Sequence, residues 1–141
     1  MKNLILTLSI FCCTFVFAQK NENYIEIGYS SICCGTPSTD PVINYINQFQ
    51  KKYKTKPFEI LQQQGLGREG EFNLYISISQ LSQSQKSNFV KGLQSAISSQ
   101  NIKRKENSDG TVNFQETQTV TKGDLAKIKN LIIYKNNSKL K

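Results

Sequence analysis

With 18 lysines and arginines against 10 aspartates and glutamates, the 141-residue chain is basic, at a formal net charge of +8, and it holds no histidine and no tryptophan. The missing histidine excludes a Ser-His-Asp or Cys-His catalytic centre, any His-ligated zinc or haem, and the usual general base near neutral pH. Its length suits one domain with a modest core.

The opening MKNLILTLSIFCCTFVFAQK has one early lysine, an apolar run from Leu4 to Phe17, and Ala18 preceded by Val16 two positions back. That pattern predicts a secretory signal peptide, residues 1–18, cut after Ala18. The run is shorter than the roughly 20 apolar residues of a membrane span and lacks a basic stop-transfer flank. A lipid-attachment cysteine at Cys12 is disfavoured, because Ile10 and Phe11 are bulky where such signals carry small residues. The expected location is therefore secreted or periplasmic, with no transmembrane segment in the mature chain. Removing 18 of the 141 residues takes Lys2 with it and leaves 123 residues, a charge of +7, and Cys33 and Cys34 as the only cysteines.

Along the mature chain, NYIEIGYS sets Ile25, Ile27 and Tyr29 against Tyr24, Glu26 and Gly28, the period of a strand. CCGTPSTDP follows with turn residues Gly35 and Pro37, then Thr39 or Asp40 as a helix N-cap and Pro41 at the first helical position. The first helix carries Val42, Ile46, Phe49 and Tyr53 as its apolar stripe and ends in KKYKTK, whose cations offset the helix dipole. Pro57 opens a second strand, PFEIL, with Phe58 and Ile60 on one face.

The segment GLGREG matches the letters of a dinucleotide fingerprint, but a strand follows it where the fingerprint needs a helix N-terminus. It reads instead as a hairpin loop with Gly65, Gly67 and Gly70 at positive φ. A third strand, EFNLYISIS, alternates Phe72, Leu74, Ile76 and Ile78 with polar neighbours. Ser82 and Gln85 form a capping-box pattern ahead of a second helix whose face holds Phe89, Leu93, Ala96 and Ile97. Next, NIKRKENSDGTVNFQETQTV predicts two short strands about a Ser108-Asp109-Gly110 turn, with Val112 and Phe114 facing the core. The last segment starts as a capped helix at Thr121, with Asp124, Leu125, Ile128 and Leu131 or Ile132, and finishes in a basic flexible tail, residues 136–141.

Strand, helix, strand, hairpin, strand, helix, strand predicts a single α+β domain over residues 19–135. The expected architecture is a two-layer ferredoxin-like (split β-α-β) sandwich, an antiparallel sheet with the helices on one face, plus a C-terminal hairpin or helix. In this layout Ser31 to Thr39 form the first strand-to-helix loop, where free N–H groups at a helix start favour a thiolate. The layout resembles the small heavy-metal-associated domains, which share the topology and carry their metal-binding cysteines in the same loop. That family uses C-x-x-C, usually after a methionine, whereas Cys33 and Cys34 are adjacent and the only methionine is the initiator.

Adjacency constrains the chemistry. Neighbouring Cα atoms lie about 3.8 Å apart, below the usual disulfide span of about 4.4 to 6.8 Å, so a Cys33–Cys34 bond closes a tight ring that is easier to reduce than an ordinary bridge. Three roles stay open for the pair: a vicinal disulfide that stiffens the loop, a redox or soft-metal site, and inert buried thiols. Zinc needs four ligands and finds no histidine, while Cu(I) accepts two sulfurs, so Cu(I) or another soft metal is the candidate cofactor, with no cofactor the first expectation. Gly35, Thr36, Ser38, Thr39 and Asp40 are the residues expected to support the loop. A thiol oxidoreductase is the one enzyme class the residues allow, but its usual C-x-x-C is missing, so a non-enzymatic role is expected.

Two lysine-rich runs offer a different role. Lys51, Lys52, Lys54 and Lys56 form one, and Lys103, Arg104 and Lys105 the other; together they are the candidates for binding an anionic partner or envelope surface. With Arg68 and Arg104 the only arginines and no nucleic-acid motif present, specific nucleic-acid binding is not expected. Glu59, Glu69, Glu71 and Glu116 show no spacing that pairs two carboxylates for glycosidase-like work. The sequence thus predicts a small secreted binding or interaction domain with its functional locus at Cys33 and Cys34. The alternative is a passive domain whose basic face binds an anionic partner and whose cysteines are structural only.

Overall fold

A computed structural model describes residues 22–135; the expected signal peptide and the basic tail lie outside the described residues. The chain is α+β, as expected. The strands are β1 (Asn23–Ser30), β2 (Ile60–Gln63), β3 (Phe72–Ser77), β4 (Thr111–Thr121) and β5 (Leu131–Ile133), and the helices α1 (Asp40–Tyr53), α2 (Gln83–Ile102) and α3 (Lys122–Leu125). One sheet has the order β4-β1-β3-β2-β5, every neighbouring pair antiparallel. Since β1 and β2 both oppose β3, they run parallel to each other on either side of it.

Alternation along the strands places the core. Ile25, Ile27 and Tyr29 of β1 and Leu74 and Ile76 of β3 pack with Val42, Ile46 and Phe49 of α1 and with Phe89, Leu93 and Ile97 of α2. Phe49, Phe58 and Phe89 meet at ring distances of 4.9 to 6.3 Å, a cluster that adds orientation preference to the burial. The opposite sheet face is not left to water throughout. Tyr24 and Tyr75 are buried there beneath Leu125 of α3, joined by Val120, Ile128 and Leu131. Helices α1 and α2 share one face, and the single turn of α3 covers part of the other.

The two long helices run antiparallel. Asn88 Nδ2 donates to Tyr53 Oη at 3.4 Å near the start of α2, and Gln100 Nε2 donates to the Ser38 carbonyl at 2.8 Å near its end. The start of α1 therefore lies beside the end of α2. Ser82 caps α2 in the predicted box: its hydroxyl accepts from Gln85 N–H and the Gln85 side chain accepts from Ser82 N–H.

Several expectations are corrected. Thr39 is the N-cap of α1, so Pro41 is its second residue, and the Thr39 hydroxyl bonds Tyr134 Oη at 2.7 Å instead of capping the helix. Strand β2 begins at Ile60, not Pro57, because Pro57 has no N–H to give a ladder and Phe58 turns into the aromatic cluster. Of the three loop glycines, Gly65 and Gly70 adopt positive φ, while Gly67 does not; a Cβ there would strike the Glu71 carboxylate.

The predicted strand at 101–107 does not exist. Helix α2 continues to Ile102 because the stripe Phe89, Leu93, Ile97 is extended one turn by Asn101, whose amide exchanges bonds with the Val112 backbone at 2.8 and 3.0 Å. A turn then leads to the single strand β4. The last segment holds one helical turn, capped reciprocally by Thr121 and Asp124, and Leu131 and Ile132 lie in β5 against β2, not in a helix.

Candidate functional site

The loop between β1 and α1 is tied down by its own short polar side chains. Ser31 Oγ accepts from Gly35 N–H at 3.2 Å, closing a turn around Ile32, Cys33 and Cys34, and Ser38 Oγ accepts from Asp40 N–H at 3.0 Å. Gly35 sits at φ 96°, a conformation that a side chain would strain. Thr39 closes the loop by its bond to Tyr134 and by accepting Ile43 N–H at its carbonyl.

Cys33 and Cys34 are bonded to each other as a vicinal disulfide, their Cα atoms 3.8 Å apart. Both cysteines are exposed, as is Ile32 at 50%. Inert buried thiols are thereby excluded. The bridge also joins nothing distant: its sequence separation is one, and a disulfide restrains an unfolded chain more the longer the loop it closes.

Beside the bridge lies a cleft of about 330 Å³. One wall is the loop itself, Cys34 to Ser38, so Cys34 faces the cleft and Cys33 is not part of its lining. The end of α2 supplies Gln100 and Asn101, its C-cap is Lys103, and the turn that follows supplies Arg104, Ser108, Asp109 and Gly110. Gly110 is required by close approach, since a Cβ would collide with the Ser30 carbonyl oxygen and lie 2.8 Å from Pro37 Cδ. It is the point at which the two walls meet.

The charged groups differ in how they are engaged. Asp109 accepts Lys105 N–H at 2.7 Å and the Ser108 hydroxyl at 3.0 Å, and these bonds, the backbone one first, hold its carboxyl below the ordinary range. Arg104 donates to the Glu106 carbonyl at 3.3 Å, and neither Lys103 nor Arg104 forms an ion pair among the described residues. Gln100 spends its amide N–H on Ser38 and keeps Oε1 buried without a partner among the described residues.

The sequence-predicted residues are thus divided. Gly35, Thr36 and Ser38 line the cleft with Cys34; Thr39 and Asp40 start α1; and Lys103 and Arg104 join them from just beyond the end of α2. Lys105 contributes its backbone to the turn and does not line the cleft. Lys51, Lys52 and Lys54 lie at the far end of α1, which at 14 residues is about 21 Å long, with Lys52 Nζ 5.3 Å from the Tyr53 ring centre. The two basic runs accordingly occupy opposite ends of the helix pair rather than one face. Sequence reasoning missed Gln100, Asn101 and Asp109 as lining residues. The available signal for Asn101 was its place four residues beyond Ile97.

Among the described residues, no three His, Cys, Asp or Glu side chains converge on a metal-sized site, and no helix is long and apolar enough to cross a membrane. No protein-family model, curated protein or solved structure matches the chain.

Proposed function

We propose that the chain is a secreted or periplasmic binding domain in which the Cys33–Cys34 disulfide is a thiol-responsive site. The observation that carries this reading is the exposed bridge at the rim of a cleft, in a position where it cannot staple the fold. Reduction opens it to two neighbouring thiols, which suit a soft monovalent ion such as Cu(I) with two sulfur ligands. The fold we assign is a ferredoxin-like split βαβ sandwich. The order β4-β1-β3-β2 with antiparallel neighbours supports it, and β5 is an addition beside β2.

Intact-mass analysis of the secreted protein, alkylated under denaturing, chelating conditions with and without prior reduction, tests the reading. The expected product starts at Gln19, takes up alkylating reagent only after reduction, and is reduced by dithiothreitol while still folded. Alkylation of both cysteines without reductant, or a bridge that resists dithiothreitol until the chain unfolds, would overturn it.

A further inference from the structure

Resting on that thiol-responsive reading, we infer that the cleft selects the thiol: its substrate is a low-molecular-weight thiol bearing a carboxylate. Three features of the cleft point there. Cys34, the cysteine that lines the cleft, shares it with Lys103 and Arg104, two cations that form no ion pair among the described residues. The one acid in the lining, Asp109, is bonded by Lys105 N–H and Ser108 and also feels the Arg104 charge, so with Lys103 and Arg104 the lining keeps a net positive charge. A volume of about 330 Å³ suits a small molecule and is at the low end for ligand clefts.

The exchange balances with that thiol as the sole co-reactant. Its thiolate, entering from the cleft, attacks Cys34 Sγ and forms a mixed disulfide there. The Cys33–Cys34 bond breaks, and Cys33 leaves as a thiolate on the solvent side, where water supplies its proton. A second thiolate attacks the outer sulfur of the mixed disulfide, releasing the small-molecule disulfide and leaving Cys34 reduced. Two thiols are oxidised by two electrons and the protein bridge is reduced by two.

The test compares native-state reduction by glutathione and 3-mercaptopropionate with that by 2-mercaptoethanol and the cationic cysteamine, each rate expressed per thiolate. The carboxylate-bearing thiols are expected to react about tenfold faster than 2-mercaptoethanol at low salt and cysteamine more slowly, with the ratios falling toward one near 0.5 M salt. In Lys103→Ala/Arg104→Ala the ratio of glutathione to 2-mercaptoethanol should collapse toward one even at low salt. Equal per-thiolate rates for all four thiols would overturn this inference and leave the thiol-responsive site standing. A bridge that none of them, nor dithiothreitol, reduces in the folded protein would overturn the site itself. The salt titration uses the unaltered protein, so the inference is falsifiable even if the double variant fails to fold.

Discussion

Asn101 and Asp109 hold the cleft together by supplying polar partners where the backbone has none. Asn101 reads both peptide groups of Val112, a residue only 2% exposed, in place of a neighbouring strand. Asn101→Ala should therefore cost about 1 to 3 kcal/mol in urea denaturation, since it leaves a donor and an acceptor unpaired. A loss under about 0.5 kcal/mol would mean that water replaces the amide. Asp109 acts through its charge. Its carboxyl sits below the ordinary aspartate range because Lys105 N–H and Ser108 bond the ionised form. The contribution is complete above the unfolded aspartate value, about 3.9, and is lost as pH falls through the lower folded value. Acid titration followed by NMR should show the Lys105 amide keeping its hydrogen-bonded shift below pH 4 and losing it at lower pH. Asp109→Asn should remove that titration, and an unchanged profile would refute the assignment.

At the scale of elements, the end of α1 is a point of stored cost. Lys54 holds φ 50° at the C-cap, the left-handed region in which a side chain crowds the following carbonyl. Lys54→Gly should raise stability by up to about 1 kcal/mol, read as a higher urea midpoint with an unchanged slope. A lower midpoint would show that the lysine side chain contributes more than its backbone costs. The same region explains what could be read in advance. Helix α1 and the capping box of α2 were legible because their signals are local: Pro41 near a start, Ser82 three residues before Gln85, apolar residues at helical spacing. The strands β1 and β3 were legible for the same reason, through their period of two. The end of α2 was not, because Asn101 is polar and its place in the stripe depends on Val112, eleven residues away. Nor was the last segment. Thr121 and Asp124 signal a helix correctly, but its length is set by the edge of β2, which recruits Leu131–Ile133 as a strand. The cysteine loop was identifiable from two adjacent letters, whereas the cleft beside it required the packing of α1 against α2.

For the whole molecule, the core that stabilises the fold and the loop proposed to react lie in different places. The fold rests on the layer between the sheet and the two long helices, where Leu93 is fully buried among Ile27, Phe89 and Ile97. Leu93→Ala should cost about 2 to 5 kcal/mol, as removal of a core leucine does when its surroundings relax only in part. Opening the disulfide should cost far less, because Cys33 and Cys34 are exposed and the ring they close restrains no distant segment. Thermal unfolding of the oxidised protein, the reduced protein and Cys33→Ser/Cys34→Ser should therefore give three nearly coincident transitions, all well above that of Leu93→Ala. If reduction lowered the transition as far as Leu93→Ala does, the loop would be carrying the fold and the bridge would be structural. Coincidence has a further consequence. A bridge that opens without unfolding its domain leaves the cleft walls, fixed by Gly110 and Gln100, in place in both redox states. The cleft can then hold the first thiol, now in its mixed disulfide with Cys34, while a second thiolate attacks it.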